Sequence, residues 1–409
     1  MARIPWIAVL AALIAMPALA GDLAVVHARI YVAPGAPAIE DGSVIVRDGR
    51  ILAVGPTARL APKSGAEVID GHGLVVVAGL WNSHVHLMGP ALVKSADPIV
   101  ASRQLERMFT RWGFTTVFDI ASLPGDAIAL RGRIAAGEVT GPNILTVDAP
   151  FYPNDGVPIY VRKALIGAPS FETGTPRQAA ARARRQLAAG ADGVKIFAGS
   201  AVGGKIGVLP MPLETAKAVV GEAHRAGKPA FAHPSNLQGL DVAVASSVDV
   251  LAHTTPDGGP WPTGLAARLA SHRMALTPTL TLWGLELSKG EASSAEIQQF
   301  TRVAQVQLKS FADAGGQVLF GTDVGYTDAV DTTQEYRLMA GAGLSWTQIL
   351  ASLTTAPAQR FKSPRKGRIA PGLDGDLTVL SADPAGDPAA FAQVAYTIRA
   401  GQILYRARP

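Results

Sequence analysis

The chain has 409 residues, a net charge of +5, 48% hydrophobic and 17% charged residues, and no cysteine. That leaves room for an α/β barrel of ~250 residues plus a small accessory unit, and it excludes a mainly disordered chain. The missing cysteines exclude disulfides, Cys-based zinc sites, a thiol nucleophile and a lipid-anchored cysteine.

The chain begins as a signal peptide would. Arg3 supplies a positive start, Ile4 to Met16 an apolar stretch, and Ala18-Leu19-Ala20 a small-residue cleavage motif before Gly21. The stretch is shorter than the ~20 residues a spanning helix needs. An uncleaved anchor is the alternative. Cleavage after Ala20 predicts a periplasmic or secreted protein without stable membrane association. The cluster Arg182, Arg184 and Arg185 has helical spacing and reads as a solvated face, not a nucleic-acid site.

Residues 22–78 read as short strands, with a hairpin at Asp48-Gly49. From residue 75 strands and helices alternate. The pattern predicts barrel strands near 75–83, 115–120, 143–148, 192–197, 229–233, 249–253, 275–279 and 317–322. Helices are predicted over 98–112, 176–189, 213–226 and 295–314, the second opened by the cap Thr175-Pro176. Strand character returns after about residue 364. The fold class is α/β: a (β/α)₈ TIM barrel with a small β-sandwich built from the N- and C-terminal segments. The expected division is 1–20 signal peptide, 21–78 first part of the sandwich, 79–363 barrel and 364–409 second part.

Candidate metal ligands close the predicted strands at one end, where barrel enzymes place their sites. His84 and His86 flank Val85, so both point to one face of the first strand. Alone, such a pair is a weak signal. Lys195 lies between Val194 and Ile196, which turns it into the barrel. Burial lowers the pKa of a lysine, and a neutral amine can take up CO₂ to form a carbamate, an anionic oxygen ligand. A lysine that snorkels to the rim or pairs with an acid is the alternative. His233, His253 and Asp323 end the fifth, sixth and eighth strands. Each alone is more often a core histidine or a helix cap. Together the six make a metal site for Zn²⁺ or a related divalent ion.

In this order the ligands resemble those of the amidohydrolase superfamily, closest to its carboxylated-lysine binuclear group of prolidase-like and ochratoxinase-like members. The flanks agree: Ile45 to Val54 is similar to that family's N-terminal strands, and Gly367 to Leu380 to its returning strand. Three features depart from the family. Asn82 stands where an aspartate is usual, Thr254 follows His253 where glycine is common, and the loop 149–160 lacks a Gly-Gly-His.

The resemblance implies a site with two divalent metal ions, Zn²⁺ first, bridged by N6-carboxylated Lys195 and a hydroxide. His84, His86 and Asp323 would hold one ion, and His233 and His253 the other. The hydroxide would attack a small-molecule amide, peptide-like or an N-acyl amino acid. Asp323 would be the catalytic residue, passing the proton to the leaving amine. Tyr152, Tyr160 and Ser200 are candidate substrate contacts, and Lys205, in a flexible loop, could meet a substrate carboxylate. Asp119 is either a ligand-supporting group or a helix cap. His27, His72, His224 and His272 read as structural or exposed, and Asp328 and Asp331 as exposed loop residues. Two other functions compete. One is a mononuclear cyclic-amide hydrolase or deaminase of the same superfamily. The other is a non-catalytic periplasmic metal- or ligand-binding protein. A homo-oligomer stays open.

Overall fold

Asp48 and Gly49 both take positive φ, 48° and 73°, and join the antiparallel strands Ile39–Arg47 and Arg50–Pro56. This is the turn that a two-residue Asp-Gly loop favours, because its twist matches that of the strands. The structure, a computed structural model, describes residues 22–408 except Ala164 and Pro169, so the signal peptide expected at 1–20 lies outside the described residues.

The hairpin belongs to an eight-stranded mixed sheet that takes up both ends of the chain. Strand Val75–Ala78 is its junction. It runs parallel to Leu23–Ile30 and antiparallel to Leu377–Leu380, with Val77 opposite Thr378. Val25, Val44, Val76, Val379 and Ile398 are buried along it in one apolar cluster. Hydrogen bonding thus unites the two terminal segments in one sheet. The strand expected over 75–83 is two strands, Val75–Ala78 in this sheet and Leu80–Val85 in the next. At Gly79 a Cβ would lie 2.3 Å from Thr115 Oγ1, so only glycine lets the chain pass between the two sheets.

Leu80–Val85, Phe114–Asp119 and Asn143–Thr146 form one parallel sheet. Val194–Phe197, Ala230–His233, Val250–Ala252, Ala275–Thr277 and Gln317–Val318 form a second, in that order. Backbone hydrogen bonds span both seams. Phe151 donates to Lys195 (2.8 Å), and Phe197 donates to Phe151 (2.9 Å). On the other side Ser83 donates to Phe320 (2.8 Å), and Asp323 to His84 (2.9 Å). The succession is TIM-barrel-like, with the carboxyl ends of all eight strands on one side.

The long helices fall close to their expected positions: Pro98–Met108, Pro176–Ala188, Leu213–Arg225 and Ser294–Asp313. Thr175 with Gln178, and Ser293 with Glu296, close reciprocal caps on the second and fourth. Among the described residues no helix is long and apolar enough to cross a membrane. In the arginine cluster Arg184 and Arg185 are exposed, as a solvated face requires, and Arg182 is the exception. Arg182 is half-buried, 3.9 Å from the centre of the Phe151 ring, and donates to the carbonyls of Phe171 and Pro150. The loop that carries Lys205 is the turn of a hairpin formed by Gly199–Gly203 and Gly207–Pro210.

Helix Leu280–Ser288 starts at Thr279 without a side-chain cap of its own. Buried Glu335, from helix Thr333–Gly341, replaces it and accepts from the Leu280 and Thr281 amides, both at 2.8 Å. Burial pushes the Glu335 carboxyl up to about 7 from an ordinary 4.5, against the donors that favour its charge. A pKa raised by folding gives stability that is full below the unfolded value and is lost as pH rises through the folded one. The melting temperature of wild type relative to Glu335→Gln is therefore expected to fall between roughly pH 4.5 and 7.5. A difference that grows over that range would refute the assignment.

Candidate metal centre

His84 and His86 lie at the end of strand Leu80–Val85, and their surroundings fix their orientation. The Asn82 side-chain amide donates to Thr322 Oγ1 (2.7 Å), and its carbonyl oxygen accepts from the His84 amide (3.3 Å). The residue that departs from the family pattern thus ties the first strand to the eighth with neutral groups. His86 Nδ1 donates to the Ala121 carbonyl at 2.9 Å, which leaves Nε2 to face the site. Gly325, at φ 100°, closes the loop after Asp323 onto the His86 carbonyl, where a Cβ would stand 1.8 Å from that oxygen.

Asp323 Oδ1 is 2.7 Å from His86 Nε2 and 2.9 Å from His84 Nε2. The second contact lacks hydrogen-bond alignment, so His84 Nε2 is buried without a bonded partner. Because His86 already donates through Nδ1, its neutral ring meets the Asp323 carboxylate with a lone pair. Only a proton or a cation reconciles those groups. His84, His253 and Asp323 can place their ligand atoms within 4.8 Å of one another. His253 Nδ1 is held by Thr279 Oγ1 at 2.6 Å. His253 and Asp323 both adopt left-handed φ, 76° and 62°, strain of the kind that persists where surrounding structure imposes it.

His233 joins from the fifth strand, its ring 4.8 Å from those of His253 and Phe197. Lys195 is buried, lines the same cavity and has no ion-pair partner among the described residues. Burial lowers its pKa to about 7, although the Asp323 charge pulls the other way. It also takes His84 to about 4 and His233 to about 3, and holds His253 well below its ordinary range. Burial opposes charge on both Asp323 and His86, but their attraction outweighs it. Asp323 stays well below the carboxylate range and His86 is raised. Neutral imidazoles at His84, His233 and His253 and an ionised Asp323 are states in which such side chains bind a metal, and a neutral Lys195 amine is the form that takes up CO₂.

All six expected ligands therefore line one cavity. Tyr152 and Tyr160 line it too, Tyr160 with its ring 5.4 Å from that of Tyr326. Ser200 does not. It is buried within the first strand of the hairpin, and its hydroxyl donates to the Gly156 carbonyl at 2.5 Å. This corrects its expected role as a substrate contact. Asp119 caps no helix. It is buried and accepts from the Leu87 amide (3.0 Å), Ser122 Oγ (2.8 Å) and Thr146 Oγ1 (2.6 Å), which locks the backbone just after His86. Outside the cavity His224 pairs with Asp249, and His27 stacks on His72. The reading of the sequence missed Asp257, Trp283, Glu286 and Tyr326 as cavity residues.

Donors aimed at one point beneath a cavity, at the carboxyl ends of parallel strands, define the class first: a metal-binding hydrolase on a TIM-barrel-like fold. Residues 75–404 match the amidohydrolase family, and the chain belongs to it. It is a hydrolase of carbon–nitrogen bonds. The chain is 26% identical over 414 residues to a dihydroorotase of Pelotomaculum thermopropionicum, covering 88% of this chain and 89% of that one. Two solved structures share the fold. A Xaa-Pro dipeptidase with methionine bound in its active site aligns at a TM-score of 0.80 and 19% identity, over 94% of this chain and 100% of the other. The ochratoxinase of A. niger aligns at 0.75 and 17%, over 95% and 96%.

Proposed function

We propose that the chain is an exported enzyme that hydrolyses an amide bond of a small molecule at a two-metal centre. His84, His86 and Asp323 would hold one divalent ion and His233 and His253 the other, with Lys195 bridging them as a carbamate. The observation that carries this reading is that all six candidate ligands line one cavity, with His86 Nε2 2.7 Å from Asp323 Oδ1, a contact that a proton or a cation satisfies. Bound divalent ions would supply Lewis acidity and a water acidic enough to lose its proton near neutral pH.

The chain's own groups do the rest. Asp323 takes a proton from the attacking water and delivers it to the leaving nitrogen as the C–O bond forms and the C–N bond breaks. Tyr152 and Tyr160 stand above the donors, where their hydroxyls can donate to the substrate carbonyl. Export rests on the charged, apolar and Ala-x-Ala segments of residues 1–20.

A second reading, the mononuclear cyclic-amide hydrolase, has its own support: among the described residues, His84, His253 and Asp323 are the one group of three or more His, Asp or Glu whose ligand atoms converge within 4.8 Å. Metal analysis of the purified chain, loaded with divalent metal in bicarbonate, separates the two. About two equivalents per chain support the binuclear centre, about one promotes the mononuclear reading, and none sinks both.

A further inference from the structure

The cavity above the donors has a volume of about 320 Å³, within the range of small-ligand pockets. Tyr152, Phe171 and Phe197 form one wall and Leu282, Trp283 and Phe300 belong to the other elements around it. Its charges are unevenly placed. Among the described residues that line it there is no arginine, and Lys195, in the floor beside the histidines, is the one lysine. Further out the charged liners are Asp257 and Glu286.

Three of the cations nearby are committed elsewhere. Arg182 packs on Phe151 and donates to two carbonyls, and Arg162 donates to the carbonyls of Val157 and Val202. Lys289 is paired with Glu286 and stands 4.8 Å from the centre of the Tyr326 ring. The segments beside the lining expose Ile159, Ile166 and Ile206 (55%, 83% and 65%), together with Lys163 and Lys205, which do not line the cavity. A substrate carboxylate in the outer part of the cavity would lose water and face Asp257 and Glu286, with no cation among the described residues that line that part.

Building on the amide-hydrolysis reading, we infer that the outer cavity selects uncharged or positively charged amides with an aromatic or other apolar end, and rejects substrates bearing a free carboxylate. The N-acyl amino acids and dipeptides that the family resemblance suggests are therefore poor substrates. Rejection has two parts, the missing counter-charge and the repulsion from Asp257 and Glu286.

A matched series tests this with the metal-loaded enzyme: N-benzoylglycine as the anion, N-benzoylglycinamide as the neutral form and N-benzoylethylenediamine as the cation. The readouts are kcat/KM for benzoate release and Kd by calorimetry. The neutral and cationic members are expected to exceed the anion by about tenfold or more in both. In Asp257→Asn with Glu286→Gln the ratio of neutral to anion should fall toward one. Equal treatment of the three, preference for the anion, or no binding of any member overturns the inference. An unchanged ratio in the double variant overturns the role of the acids. If the series binds in the expected order and none is hydrolysed, the cavity preference stands and the amide-hydrolysis reading fails.

Discussion

Asp323→Asn is expected to lower kcat for amide hydrolysis by about 10²–10⁴-fold, with a melting temperature close to wild type. The two side chains have nearly the same volume, so the packing around strand Leu80–Val85 is preserved. What changes is chemistry: an amide cannot take the proton that must travel from water to the leaving nitrogen. The substitution also removes the charge that raises His86 and pulls on Lys195. Metal content should be measured beside turnover, because loss of an ion and loss of proton transfer would otherwise look alike. A variant that keeps its metal and works within about tenfold of wild type would end the proposed role of Asp323.

Lys195→Ala should release about one metal equivalent and reduce activity by a further large factor. Lys195 is 2% exposed and has no acid within ion-pair distance among the described residues. A purely structural lysine would hardly be placed so, since a buried charge without a partner is unfavourable. Truncation leaves a space beside the histidines into which a small carboxylic acid fits. Added formate or propionate is therefore expected to restore part of both metal and activity, by standing in for the carbamate oxygens. Unchanged metal content in the variant would reduce Lys195 to a residue of the cavity floor.

That the six candidate side chains share one cavity was legible because strands alternate. Val85 between two histidines, and Val194 and Ile196 around Lys195, mark one face as apolar and the other as the site, and all are buried as that alternation requires. Asp323 was legible as a carboxylate closing an apolar run. What escaped depends on contacts distant in sequence. The cap of helix Leu280–Ser288 comes from Glu335, 55 residues beyond the amide it accepts from, and that helix carries Trp283 and Glu286 into the cavity. Nothing local at Thr279, which enters the helix with φ 45°, announces it. Ser200 was misread for a related reason. Following the fourth strand suggested the pocket, but the hairpin turns its hydroxyl to Gly156. The hairpin itself was masked by Gly203-Gly204, which reads as flexibility although both glycines take the positive φ of a turn.

The sheet that joins the two ends of the chain also sets an order of assembly. Val75–Ala78 finds its antiparallel partner only in Leu377–Leu380, and the Leu80 amide meets a hydroxyl 298 residues later, on Thr378. During synthesis the first parallel strand thus emerges long before the segment that anchors its base, and it must wait with an open flank. Such long-range pairing is slow to form and exposes strand edges while incomplete. The last thirty or so residues act less as an appendage than as a clasp that is fastened once, at the end. A chain cut short there would carry every candidate metal ligand and still lack the piece that anchors the base of the strand leading to His84 and His86.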